Sequence, residues 1–126
     1  MNGFSYKQLI RKQILKVKRA DSQFRNFHVA GKLNIEPSYL SRFLSDPNVH
    51  FSDELLFSLL KVLRMDHDSI DQVVTLKEFE RCLHPERKRF LEEKLALIKL
   101  KRLRHEFDRI NTALQQTLEI LNRTEN

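Results

Sequence analysis

VAGKLNIEPSYLSRFLSD, residues Val29 to Asp46, reads as helix, tight turn, helix, and the rest of the chain either braces this stretch or pairs it. Val29, Ala30 and Leu33 stand at the three-four spacing of an apolar helix face. Asn34 follows them, a residue able to enter the left-handed conformation that ends a helix, and Ile35 then has to turn inward. Pro37, with its fixed φ, suits the first position of a second helix. That helix gathers Leu40, Phe43 and Leu44 on one face and Ser38, Tyr39, Ser41, Arg42 and Ser45 on the other, which is thereby presented outward.

Working outward, the 126 residues have room for one compact domain, and with two Gly and three Pro the chain is poor in the turns that sheets require. An all-α fold is expected. The net charge of +6 is unevenly placed: Met1 to Arg64 holds eleven Lys/Arg against five Asp/Glu, whereas Met65 to Asn126 holds twelve against twelve. A basic first half suits a phosphate-bearing partner. Cys82 is the sole cysteine, so no internal disulfide braces the fold, and a buried bystander thiol in a reducing compartment is the expectation. No stretch approaches the roughly 18 apolar residues of a membrane span, and the basic start MNGFSYKQLIRKQ lacks the apolar core of a secretory signal. A cytoplasmic, nucleoid-associated protein with no membrane partner is expected.

The pattern carried by Ala30, Leu33, Ile35, Ser38, Tyr39, Leu40, Ser41 and Arg42 resembles the helix-turn-helix of the phage-repressor (Xre-type) DNA-binding family. Downstream, FSDELLFSLLKVLRMD is similar to that family's fourth helix, so the resemblance runs roughly from Ser22 to Val74. Two positions depart from the pattern: Asn34 stands where Gly is usual, and Pro37 where a polar residue, often Gln, heads the reading helix. The chain also resembles bacterial regulators in which such a domain runs into further helices. The resemblance implies double-stranded DNA as partner. It places the second helix of the motif in the major groove, and Arg25 and Asn26, at the head of the first, against the DNA backbone. Arg42 is the leading contact, because a guanidinium can pair with guanine through two hydrogen bonds, while Ser38, Tyr39, Ser41 and Ser45 offer less discriminating ones. Glu36 opposes this by repelling phosphate unless it meets a cytosine amino group, and Tyr39 has the alternative of packing on a neighbouring helix.

The remaining segments read as support. Phe4, Tyr6, Leu9, Ile10, Ile14 and Val17 fall at helical spacing from Phe4 to about Ala20, with Lys7, Arg11, Lys12, Lys16, Lys18 and Arg19 on the other faces: a basic amphipathic helix, read first as a packed helix with a solvated face and second as a contact for phosphate or an anionic membrane surface. Asp21 and Ser22 separate it from a helix expected from near Gln23 to Leu33, with Phe24, Phe27 and Val29 supplying core. Asp46, Pro47 and Asn48 carry turn chemistry, and Asn48, with His50 beside it, is a further backbone-contact candidate. Phe51 and Ser52 look like a staple and N-cap before Leu55, Leu56, Leu59, Leu60 and Leu63.

MDHDSID, residues 65–71, tempts a metal reading, but an EF-hand loop needs Gly where Asp71 stands and Glu where Lys77 stands, and helix capping accounts for the acids. The five histidines lack ligand spacing, and no phosphate loop or Ser-His-acid signature occurs. Neither an enzyme, a cofactor, a metal nor a small-molecule substrate is therefore expected. A helix from about Asp68 to Cys82, carrying Ile70, Val73, Val74, Leu76 and Phe79, closes a five-helix domain over residues 1–84.

Beyond His84-Pro85, nothing interrupts helix from Glu86 to about Leu121, an arm of about 50 Å at about 1.5 Å per residue. Leu100, Leu103, Phe107, Ile110, Leu114, Leu118 and Leu121 approximate a heptad seam, whereas Phe90, Leu91, Leu95 and Ile98 form an earlier stripe of different phase. The phase change assigns the earlier stripe to the chain's own domain and the later one to a second copy, making residues 85–126 a coiled-coil-like homodimerisation arm. The competing expectation is a fold-back hairpin breaking near Lys101 to His105. Lys99, Lys101, Arg102 and Arg104 read as a solvated face or a second phosphate-contact zone. The reading that results is a dimeric transcriptional regulator or nucleoid-associated protein. The alternative, a protein-interaction module built on the same fold, predicts apolar rather than basic and polar residues around Arg42.

Overall fold

The computed structural model describes residues 5–124, which form six α-helices and, among the described residues, no strand: α1 (Tyr6–Ala20), α2 (Asn26–Leu33), α3 (Pro37–Ser45), α4 (Asp53–Val62), α5 (His67–Arg81) and α6 (Pro85–Thr124). The first five pack around one core of Tyr6, Ile10, Ile14 and Val17 from α1, Val29 and Ala30 from α2, Leu40 and Phe43 from α3, Leu56, Leu59 and Leu60 from α4, and Ile70 and Val73 from α5. Phe4, expected on the first helix, lies outside the described residues.

The helix starts are set by side chains that take up otherwise unpaired amides. Ser5 caps α1 in a reciprocal capping box with Gln8, the Ser52 hydroxyl accepts from the Leu55 N–H at 3.2 Å to start α4, and the Asp66 carboxylate accepts from the Ser69 N–H at 2.7 Å to start α5. Capping also holds the Asp66 carboxyl below the usual carboxylate range, the backbone hydrogen bond from Ser69 being the largest cause.

Between α1 and α2 the chain departs from expectation. The Asp21 carboxylate accepts from the Gln23 N–H at 3.1 Å and its carbonyl from the Phe24 N–H at 3.1 Å, so a turn occupies 21–24 and α2 starts three residues later than the pattern suggested. Phe24 is buried ahead of the helix. Phe27, expected in the core, points to solvent and lies 4.0 Å, ring centre to ring centre, from His28.

α6 is a single helix of 40 residues, about 60 Å at about 1.5 Å per residue, and the hairpin break expected as an alternative near Lys101 to His105 does not occur. Its first part runs antiparallel along α5, as three ion pairs record: Arg87–Glu78 at 3.2 Å, Lys94–Asp71 at 3.6 Å and Lys101–Asp68 at 3.3 Å. Leu91 is buried there and Leu95 and Ile98 are half-buried, but Phe90, assigned to the same stripe, is 65% exposed because it lies one residue, about 100° of helix turn, off the packed face. Every residue from Lys99 to Thr124 is exposed, so the outer part of α6 projects beyond the core. Among the described residues, no helix is long and apolar enough to cross a membrane.

Candidate nucleic-acid interface

The turn between α2 and α3 is built by Asn34, which adopts φ 56°, ψ 41°, and by two hydrogen bonds back onto α2, Asn34 N–H to the Gly31 carbonyl at 3.2 Å and Ile35 N–H to the Ala30 carbonyl at 3.0 Å. Left-handed backbone at the residue after a helix, with amides returning to its last turn, closes off the helix and reverses the chain. Ile35 is half-buried on the core, and Pro37 starts α3. Leu40 and Phe43 then anchor α3 inward, Phe43 stacking on Phe51 with ring centres 3.9 Å apart.

That anchoring turns Ser38, Ser41, Arg42 and Ser45 to solvent. No large apolar side chain of α3 is exposed. Tyr39 takes the packing alternative: it is half-buried, its ring centre 5.0 Å from that of Phe51, and the Arg42 guanidinium lies 5.7 Å from the Tyr39 ring centre. The Ser45 hydroxyl donates to the Ser41 carbonyl at 2.9 Å, which leaves its lone pairs outward. Formal charge on the exposed surface between Lys32 and Asp46 is balanced, Lys32 and Arg42 against Glu36 and Asp46.

Of the two residues placed at the head of α2, Arg25 precedes its first residue and donates to the carbonyls of Ser22 at 2.8 Å and Phe24 at 3.0 Å, so its guanidinium partly locks the preceding turn. Asn26 is half-buried with its Oδ1 out of solvent and unpartnered by protein. Asn48 is exposed after α3, its N–H donating to the Asp46 carboxylate at 2.9 Å in a local turn.

What fixes the loop after α3 was not foreseen. Lys7, read as one cation of a solvated face, is buried: its ammonium donates to the Asp46 carbonyl at 2.8 Å and to the Val49 carbonyl, and sits 4.5 Å from the Phe43 ring centre. Burial pushes its pKa down, with Asp46 opposing and Arg11 reinforcing the shift. Arg11 donates to the Leu44 carbonyl at the end of α3. Tyr6 and His50 share a 2.7 Å hydrogen bond between hydroxyl and Nδ1, burial raises the Tyr6 hydroxyl to about 12, and the Tyr6 N–H donates to Glu80 at 2.7 Å. His50, proposed as a surface contact, is half-buried, and desolvation followed by the charges of Arg81, Lys7 and Lys77 lowers its pKa. Lys77 is buried too, donating to the Phe51 carbonyl at 2.8 Å and to Asp53 at 3.1 Å. Two buried lysines from α1 and α5 thus hold residues 46–51 from opposite ends. Their long apolar stems and the spare lone pairs of the loop carbonyls make this possible, but no local spacing announces it.

The cations divide into two populations. Those on α6 facing α5 are engaged: Lys101 with Asp68, Lys94 with Asp71, Arg87 with Glu78, and Arg102 with Gln72. Lys12, Lys16, Arg19, Lys32 and Arg42 are exposed and form no ion pair among the described residues. Lys99 and Arg104 share that freedom, so the expected patch on α6 is only half available.

A cleft of about 530 Å³ lies between the start of α5 and the overhanging part of α6, lined by Asp66, Asp68, Gln72, Lys99, Arg102 and His105 among others. Sequence reading missed it because its two walls are some thirty residues apart. Its three acids are already engaged, Asp66 by the α5 amide, Asp68 by Lys101 and Glu106 by Arg109, and no residue of α2 or α3 reaches it. Among the described residues no three His, Cys, Asp or Glu side chains converge as metal ligands do.

Comparison with protein-family models, with curated proteins and with solved structures finds no match to this chain.

Proposed function

We propose that α2 and α3 act as a helix-turn-helix and that the protein binds double-stranded DNA as a dimer, in the role of a transcriptional regulator or nucleoid-associated protein. The observation that carries this reading is the outward surface of α3: serines and Arg42 on a helix anchored from behind by Leu40 and Phe43, with no exposed apolar anchor of the kind a protein partner requires. A helix of this width fits the major groove, and Arg42 on its second turn is positioned to pair with a guanine edge. Ser38, Ser41 and Ser45 supply secondary contacts, Arg25 and Asn48 flank them as backbone contacts, and the unpaired cations Lys12, Lys16, Arg19 and Lys32 supply the salt-dependent attraction that dominates such binding. The half-burial of Tyr39 makes it a support for Arg42 rather than a base contact. Leu100, Leu103, Phe107, Ile110, Leu114, Leu118 and Leu121 pair two copies, joining two weak readers into one stronger one.

The test is fluorescence anisotropy of labelled duplexes, specific or random, titrated at several salt concentrations beside the Arg42→Glu variant. Binding is expected to fall steeply with salt, and the variant to lose at least about fivefold, the low end of one lost bidentate base pairing. Absence of binding to any duplex at low salt removes DNA as the partner.

A further inference from the structure

The seam of α6 is coherent over more than three heptads. With Leu100 in position a, Phe107, Leu114 and Leu121 are also a, and Ala96, Leu103, Ile110 and Thr117 are d. Every large apolar member from Leu100 to Leu121 is between 53% and 68% exposed. Apart from Leu103, which lines the cleft beside α5, the seam lies away from that helix: Leu91, Leu95 and Ile98 turn to it, whereas Leu97 and Leu100, on other sides of the same turns, are 66% and 61% exposed. A second helix therefore has access not only to the projecting tip but also to the segment backed by α5.

The flanking positions decide how that second helix runs. In a parallel pair each g residue faces the e residue five positions on in the partner. Here that sets Lys99 against Arg104 of the partner subunit, twice over by symmetry, and Glu92 against Leu97 of the partner subunit. Like charges meet in one case, and an apolar side chain meets a carboxylate in the other. In an antiparallel pair, e faces e and g faces g. The register that sets Leu100 opposite Thr117 of the partner subunit also sets Phe107 against the partner's Ile110, Leu114 against the partner's Leu103, and Leu121 against the partner's Ala96. The flanks become Leu97 with the partner's Leu118, Lys99 with the partner's Ile120, Arg104 with the partner's Asn111, and Glu106 with the partner's Ala113. No like-charged pair remains, and exposed Leu97, Leu118 and Ile120 all gain cover. Shifting this register one heptad either way leaves the ends of the seam bare or sets Glu106 against itself.

Resting on the reading of α6 as a dimerisation arm, we propose that two copies pair antiparallel through residues 96–121, centred between Asp108 and Arg109, so that the two α1–α5 bodies lie at opposite ends of the paired helices. The occupant of the seam is a second copy of this chain, since in this direction its apolar seam closes on itself with no like-charged flank and with exposed Leu97 and Leu118 covering each other.

Cysteine cross-linking tests the direction. In a Cys82→Ser background, Leu100→Cys and Thr117→Cys are each oxidised alone and as an equimolar mixture, and dimers are counted on a non-reducing gel. The mixture is expected to give disulfide dimers in the share that random association of two variants allows, and each variant alone only background. Glu106→Cys mixed with Ala113→Cys gives the same result without touching a seam residue, and both pairs repeated with Cys82 in place cover the case in which Cys82→Ser does not fold. Self-cross-linking of Leu100→Cys with no gain on mixing overturns the antiparallel assignment while leaving a dimer. A monomeric mass for the unmodified chain at the highest attainable concentration overturns the dimer reading itself, and neither result bears on DNA binding, which the anisotropy titration reads separately.

Discussion

Asn34 is the residue on which the α2–α3 reversal depends, because it holds a positive φ of 56° that a side chain with a Cβ adopts at a cost. Replacing Asn34 by Ala is expected to destabilise the fold by about 1 kcal/mol, while Asn34→Gly stays within a few tenths, since Gly enters that region freely; urea denaturation followed by circular dichroism measures both. His50 makes stability pH-dependent. Its pKa in the fold is lowered, so between that value and the ordinary 6.5 the unfolded chain binds more protons than the folded one. Stability contributed by neutral His50 is therefore complete above pH 6.5 and is lost as pH falls through the folded value, because burial disfavours the imidazolium and Arg81, Lys7 and Lys77 repel it. Glu80 acts in the opposite sense: burial raises its pKa above the ordinary 4.5, so the folded chain gains relative stability as this carboxyl protonates. Denaturation midpoints at pH 7.5 and pH 5.5 are expected to differ more for the natural chain than for His50→Gln; equal differences would show that another group is responsible. At this scale the turn residue was legible in the sequence, since few residues tolerate left-handed backbone. The burial of Lys7 was not, because nothing in a run of six Lys/Arg tells which one meets two carbonyls some forty residues away.

Among the elements, α6 is distinctive because one helix carries two apolar stripes, one packed on α5 and the other exposed. Its inner part is held by Leu91, Leu95 and Ile98 on α5 and by ion pairs at the rim, of which the exposed ones contribute little, so the apolar contact carries the attachment. Leu91→Ala is expected to cost about 2 kcal/mol, the low end for a buried leucine, and to raise amide exchange in residues 85–102 before that of α4. Exchange that rises uniformly across the chain would show instead that α6 and the core unfold as one unit. The existence of this long helix, the two-phase stripe along it and the start of α4 were readable from spacing alone. The beginning of α2 and the exposure of Phe27 and Phe90 were not, because a shift of one or two residues rotates a side chain through 100° or more, and only the turn held by Asp21 and the line of α5 fix that phase.

For the whole molecule, the proposed antiparallel pairing has a geometric consequence. The midpoints of the two α5-backed segments lie about 45 Å apart along the arm at about 1.5 Å per residue, more than the roughly 34–36 Å of one duplex turn. Phe107→Asp, which places a charge at the centre of the seam, is expected to yield a monomer by sedimentation and to weaken binding to long duplexes about a hundredfold, the lower range of what linking two sites supplies, with little change on a duplex holding a single site. Equal losses on both would place Phe107 in the fold instead of the pairing. By itself the sequence determined that the chain is helical, that a left-handed residue and a proline bracket a sharp reversal at 34–37, and that α6 runs long with an apolar seam, because periodicity and backbone permission are local properties of residue type. Only the tertiary structure decided that Lys7 and Lys77 are buried clamps, that Tyr39 is half withdrawn from the α3 surface, and that cations of α6 pair with carboxylates of α5 while Lys12, Lys16 and Arg19 of α1 form no ion pair among the described residues. Those outcomes depend on which distant carbonyls, rings and carboxylates the folded chain brings within a few ångströms, and charge and hydrogen bonding act at that distance and not along the sequence.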